Sequence, residues 1–420
     1  MRDLLAHNGS SFCPALQPNL FALFDDANPS WRLERKLPLA RANILSGTGL
    51  FTALSFLVTA PYLAKGTPRI IRERSANVDR ELIDSGGYQI STGNLRFSAG
   101  VRRKLYRSSS QFKYAIILDA PTSAIGQPNT GLFSFAQCMR FTKENAQYVV
   151  DNSTSEATEF LNVIQGRNRY EALVWFRTMA SFNDQRIYGQ RALRGVAFAG
   201  ATRLHFSIVL ELLLLFLQQR LLNGTDRFHF LGTSHPEIAC ILTVIQDCLR
   251  DILGPGVMVT FDSATPFLLA GRYRRAYDRP ILTEKELRVP VFAMPEDDRL
   301  LRSDHPWPVS SPVADRFTLG DLNTKPGNNP WDRASDTILA LHNIWIMSHA
   351  VAVAINRLRL PYGWGRCCLP NSIVTMAEII REAFRTASVS FVRKHAPELD
   401  QLARRGRNTT LSDVFYDDRR

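Results

Sequence analysis

Six short apolar runs recur along this chain, each ending in a polar residue or glycine and each followed by a helix-forming segment. They are ELIDSGG ending at Asp84, YAIILDAP at Asp119, EFLNVIQG at Gln165, GVAFAG at Gly200, RFHFLGTS at Gly232 and VMVTFDSATP at Asp262. The intervals are 35, 46, 35, 32 and 30 residues, close to the roughly thirty that a strand, two loops and a helix occupy. Repetition of that unit predicts parallel strands with covering helices. Two weaker runs upstream, ANIL (42–45) and FLVTA (56–60), bring the count to eight and predict an α/β fold, a closed (β/α)8 TIM barrel.

The connecting segments agree with this layout. SIVLELLLLFLQQRLL (207–222) is apolar enough to press on a sheet, and PEIACILTVIQDCLRDIL (236–253) has periodic apolar positions with proline near its start. Between 280 and 332 the pattern breaks into a Pro-, Asp- and Arg-rich stretch before a predicted helix at 336–358; a further helix is expected within 371–395. The expected divisions are therefore an N-terminal segment (1–40), a barrel domain (41–360) with an atypical insertion (280–332) before its last helix, and a helical C-terminal extension (361–420).

A hydrophobic fraction of 45% and a charged fraction of 21% place the chain among globular proteins. The net charge of +12 fits a polyanionic partner and fits equally a solvated basic surface. Six cysteines in 420 residues form neither a disulfide framework nor CxxC zinc pairs, which suggests a reducing, cytoplasmic home. No basic and apolar leader opens the chain. The apolar stretches 50–64, broken by Pro61, and 208–217, carrying Glu211, are not expected to cross a membrane.

In a parallel barrel, side chains at the C-terminal strand ends face one mouth. Asp84, Asp119, Gln165 and Asp262 occupy such positions. A single Asp there reads as a loop or N-cap residue; repetition at four strand ends points instead to a site. Carboxylates and an amide suit the edge of a purine, and two carboxylates flanking a glycosidic bond supply a nucleophile and a proton donor.

DSGGYQ (84–89), after a predicted strand, resembles the most specific signature of the tRNA-guanine transglycosylases and their DNA-modifying relatives. FDSATP (261–266) is similar to that family's nucleophile motif, NVIQG (162–166) to its VQG segment, RGVAFAG (194–200) to its GGLAVG segment, FHFLGTSHPE (228–237) to its YLMG..P segment, and LHN (341–343) to the start of its last barrel helix. The resemblance implies that Asp262 is the nucleophile and Asp84 the general acid/base. It implies that Tyr88 stacks on the base, with Ser85, Asp119, Gln165, Gly195 and Val196 around it, and that Gly86 and Gly87 admit close backbone approach.

The departures from the family bear on substrate. Its tRNA-acting members carry a CxCxxC cluster before the LHN histidine; residues 305–330 contain no cysteine. A Cys3His site is thereby ruled out, no metal or other cofactor is expected, and only a rearranged zinc site using His342 stays open. Cys367 and Cys368 read as a buried pair. Where aminomethyl-base inserters place a Glu, Gly200 aligns, which favours the neutral nitrile preQ0 over a cation. The expected function is a DNA-guanine transglycosylase inserting a 7-deazaguanine base. A divergent tRNA-guanine transglycosylase is the alternative, and a non-catalytic subunit of such an enzyme a second. DNA, or else tRNA, is the expected partner, with Arg272, Arg274 and Arg275 of GRYRRAYDR as phosphate contacts. A helper ATPase stays possible.

Overall fold

A computed structural model describes residues 5, 7–25, 33–64, 66–78, 80–93, 95, 98–153, 158–360 and 368–403. Eight parallel strands form a nearly closed barrel: β1 (Ser11–Pro14), β2 (Ser55–Thr59), β3 (Arg80–Asp84), β4 (Tyr114–Ile116), β5 (Glu159–Ile164), β6 (Gly195–Phe198), β7 (Arg227–Phe230) and β8 (Met258–Ser263). From β2 to β8 each pairs in parallel with its sequence neighbour, and β8 returns to β1 with Cys13 level with Asp262. The β1–β2 seam is closed by the Leu16 amide donating to the Leu57 carbonyl (2.8 Å) and by Ser55 Oγ donating to the Phe12 carbonyl (2.5 Å).

The first strand is not the one expected. The ANIL run is buried at Ala42, Ile44 and Leu45, as its apolarity demands, but it is a turn: the Asn43 side chain accepts from the Leu45 amide at 2.9 Å. A local Asx bond of this kind competes with a ladder. Instead the four residues SFCP of β1 supply the strand, so the barrel begins inside the segment expected to precede it, not at residue 41.

Helices alternate with the strands: α1 (Pro18–Asp25), α2 (Ala99–Ser109), α3 (Phe135–Asn152), α4 (Arg169–Met179), α5 (Phe206–Gln218), α6 (Pro236–Leu253), α7 (Thr265–Tyr273) and α8 (Arg333–Leu358). Their starts at the mouth are written in the sequence. Ser134 and Gln137 make a reciprocal capping box on α3, Asn168 caps α4 through the Glu171 amide, and Pro236 opens α6. Helix α8 is long and apolar enough to cross a membrane by length and composition alone, and it packs on α6 and α7 with His342 and Asn343 fully buried.

Between α7 and α8 lie two small antiparallel pairs, Arg275–Tyr277 with Val291–Ala293 and Ile281–Leu282 with Leu287–Arg288. The LHN residues fasten this segment to α8. Asn343 accepts from the Tyr277 amide (2.7 Å) and donates to the carbonyls of Pro266 and Arg275 (both 3.1 Å), while His342 Nε2 donates to the Tyr277 carbonyl (2.7 Å). After α8, helix α9 (Asn371–Thr386) packs on α6, and Asp400 accepts from the amide and hydroxyl of Ser207 at 2.9 and 2.7 Å at the start of α5.

Candidate active site

Around the mouth, Asp262 stands on β8 and Asp84 ends β3, so two strands, β1 and β2, separate them; Asp119 follows β4 and Gln165 follows β5. Four of the residues expected to converge therefore share one end of the barrel. Their environments differ.

Asp84 accepts the Gly86 amide at 3.2 Å and has no cationic partner among the described residues. Burial, then the negative charges of Asp119 and Asp262, push its carboxyl up to about 7. Asp119 is also pushed up to about 7, by burial, against a bond from Gln165 Nε2 to its Oδ2 at 2.7 Å. Gln165 is fully buried, and its amide is engaged on both sides: Nε2 also donates to the Ala120 carbonyl (3.2 Å) and Oε1 accepts from the Thr122 amide (3.0 Å). It orients Asp119.

The DSGGYQ segment shapes this side of the mouth. Gly86 has φ +94°, in the left-handed region that favours glycine. A Cβ on Gly87 would stand 2.3 Å from Asp119 Oδ1, so only glycine lets the backbone lie against that carboxylate. Ser85 is buried, its hydroxyl donating to the Ile117 carbonyl at 3.0 Å. Tyr88 stands 69% exposed, free to cover a flat ligand.

Asp262 is held differently. Its Oδ1 accepts from the Gly232 amide at 2.9 Å and pairs with His229 Nε2 at 3.1 Å, and His229 Nδ1 meets Thr260 Oγ at 2.8 Å. His229 has no solvent exposure. With both ring nitrogens engaged the imidazole cannot turn, and Asp262 is fixed by one oxygen while Oδ2 has no hydrogen bond among the described residues. One carboxylate oxygen is thus fixed by a histidine and a backbone amide, and the other is left for a ligand. His229 was not among the expected site residues because it sits inside the strand FHF; its signal is a polar residue inside an apolar strand beside the strand that carries Asp262.

Other expected site residues lie elsewhere. Gly195 and Val196 open β6 and belong to its N-terminal end, about 10 Å below the mouth at 3.3 Å per residue. They cannot read a base held by Asp84 and Asp119, and the mouth residues of that segment are Ala199 and Gly200. Arg274 is not available to phosphate: it donates to Asp336 Oδ1 and the Gly271 carbonyl, both at 2.6 Å, and stacks on Trp331. Arg275 lies in the small antiparallel pair with Ala293, whereas Arg272 is exposed.

His342, left open above as a ligand of a rearranged zinc site, is buried with Nδ1 taking the Ser311 hydroxyl and Nε2 the Tyr277 carbonyl, each at 2.7 Å, and Trp307 meets it edge-on. Burial pulls its pKa down to about 4, so it is a neutral ring with both nitrogens used by protein. Among the described residues no group of three or more His, Cys, Asp or Glu is placed to hold a metal. Cys367 lies outside the described residues, and Cys368 is half-buried.

No protein-family model and no curated protein matches this chain.

Proposed function

We propose that the protein exchanges guanine in DNA for a 7-deazaguanine base, with Asp262 as nucleophile and Asp84 as general acid/base. The observation that carries this reading is the contrast between the two carboxylates across the β1–β2 seam. Asp84 is raised to about 7, where it can both give and take a proton; Asp262 is fastened by Oδ1 and presents Oδ2.

In the first half-reaction Asp262 Oδ2 attacks the sugar C1′. The glycosidic bond breaks, its electron pair leaves with guanine, and Asp84 delivers a proton to the departing ring. This leaves a glycosyl ester on Asp262. In the second, the Asp84 carboxylate takes the ring proton of the incoming base, whose nitrogen attacks C1′ and releases Asp262. Tyr88 covers the base, and Asp119, oriented by Gln165, accepts from its edge. A barrel mouth of this kind requires the nucleotide to leave its stack.

DNA is favoured over tRNA because the residues that would form a zinc-bound tRNA contact are replaced by the hydrogen-bonded His342 packing. The neutral preQ0 is favoured as incoming base because Gly200, beside Gln165, offers no carboxylate to an ammonium. The testing experiment incubates the protein with labelled preQ0 and either DNA or tRNA. Label entering DNA supports the reading; label entering only tRNA, or neither, contradicts it.

A further inference from the structure

We propose that Arg203 is the binding site for a phosphate flanking the nucleotide that reacts at Asp262; the proposal rests on the reading of Asp262 as a nucleophile acting on a polynucleotide. Arg203 lies in the short 3-10 helix Gly200–Leu204 that follows β6. One of its terminal nitrogens donates to the Gly200 carbonyl and the other to the Gly232 carbonyl at 3.2 Å. Gly232 thus stands between the two charged groups, its amide on Asp262 and its carbonyl on Arg203.

The guanidinium is under-used. Of its five N–H donors, Nε is out of solvent and has no partner, and no carboxylate lies within ion-pair distance among the described residues. Other arginines at barrel helices are neutralised: Arg169 and Arg393 by Glu211, Arg167 by Glu171 and Arg186 by Asp184. At Arg203 the nearest negative charge acting on it is Asp262, beyond contact, and burial lowers its pKa. A largely desolvated cation without a counter-ion is costly, and a ligand anion removes that cost.

Arg203 is half-buried, and its bond to the Gly232 carbonyl lies on the solvent side. Gly232 has φ +65°, and a Cβ there would stand 3.9 Å from both Nε and Nη2 of Arg203. A β-carbon at this position would rest against the guanidinium, and glycine removes that contact. A polynucleotide whose C1′ meets Asp262 carries a phosphate on each side of that sugar, within about one nucleotide's length, and the planar fork of Arg suits phosphate oxygens. The competing role is purely electrostatic support of Asp262.

The test uses the full chain and a single-stranded oligodeoxynucleotide with one guanine, in versions bearing a neutral methylphosphonate 5′ or 3′ to it. Arg203→Gln should raise Kd and KM for DNA about 10- to 100-fold, as expected for one charged hydrogen-bonded contact, with kcat at saturating DNA within a few-fold. The slope of log Kd against log salt should fall by about 0.7, one phosphate on a single strand. Arg203→Lys should recover part of the affinity. One methylphosphonate position should weaken the wild type and leave Arg203→Gln no weaker. An unchanged salt slope with additive methylphosphonate effects overturns the proposal, as does a fall in kcat at unchanged Kd, which assigns Arg203 to Asp262 alone. A wild type that exchanges normally in those cases leaves the proposed function standing; a wild type that neither binds nor modifies DNA removes both.

Discussion

At the scale of single residues, the site is a set of carboxylates that burial has separated in purpose. Asp84 and Asp119 are raised to about 7, which means that the folded chain holds protons there that the unfolded chain releases near pH 4. Stability from these groups is therefore complete below the unfolded value and declines as pH rises through about 7. Asp84→Asn should consequently raise Tm by several degrees at pH 8, since a shift of this size corresponds to up to roughly 4 kcal/mol. The gain should shrink toward pH 4, while exchange is lost. Thermal melts at the two pH values check this, and a Tm gain that is larger at low pH would contradict the assigned shift. The incoming base gives a second test at this scale. PreQ0 should outcompete the aminomethyl base for insertion into DNA by roughly a hundredfold, the equivalent of leaving an ammonium unpaired; equal use of both bases would show that the pocket supplies an anion. Gly200→Glu is a poor probe of this choice because Gly200 has φ +61°, a conformation that strains Glu.

At the scale of elements, the close approach of the loop after β3 to the loop after β4 is the most exposed to mutation. Gly87→Ala would place its Cβ 2.3 Å from Asp119 Oδ1, pushing that carboxylate off Gln165. A loss of about 1–3 kcal/mol is expected from such overpacking, with loss of exchange. Urea denaturation measures it, and an unchanged midpoint would mean that the two loops are not packed as described. The LHN end of α8 carries the second element-scale prediction. His342→Ala leaves the Ser311 hydroxyl and the Tyr277 carbonyl without their partner and opens a cavity, for a loss of roughly 2–5 kcal/mol. Chelators should leave the wild-type Tm unchanged, and purified protein should hold well under one zinc per chain; stoichiometric zinc would contradict this account of His342. Much of this layout could be read from the chain because β3 and β8 are apolar runs closed by Asp84 and Asp262. The β1 strand could not, since SFCP is only four residues long and carries no periodicity to separate it from a loop. ANIL misled because burial alone produces an apolar run, whether it extends or, as at Asn43, turns. Gly195 and Val196 were misplaced because motif likeness gives order along the chain and not height along a strand. His229 and Arg203 were missed because their role comes from contacts across strands and loops, which no local pattern reports.

At the scale of the whole molecule, a net charge of +12 and a single carboxylate-lined mouth pose one question: whether that mouth opens a glycosidic bond in DNA through Asp262. Of the phosphate contacts expected at Arg272, Arg274 and Arg275, Arg274 is tied to Asp336. The covalent step can be caught directly. The full chain is incubated with guanine-containing DNA, with and without labelled preQ0, quenched in denaturant, and examined by denaturing electrophoresis and peptide mass spectrometry. The wild type should form a DNA adduct on Asp262, discharged when preQ0 is added with label appearing in the DNA, and Asp262→Ala should form none. An adduct persisting in Asp262→Ala, or forming only with tRNA, would contradict the proposed function.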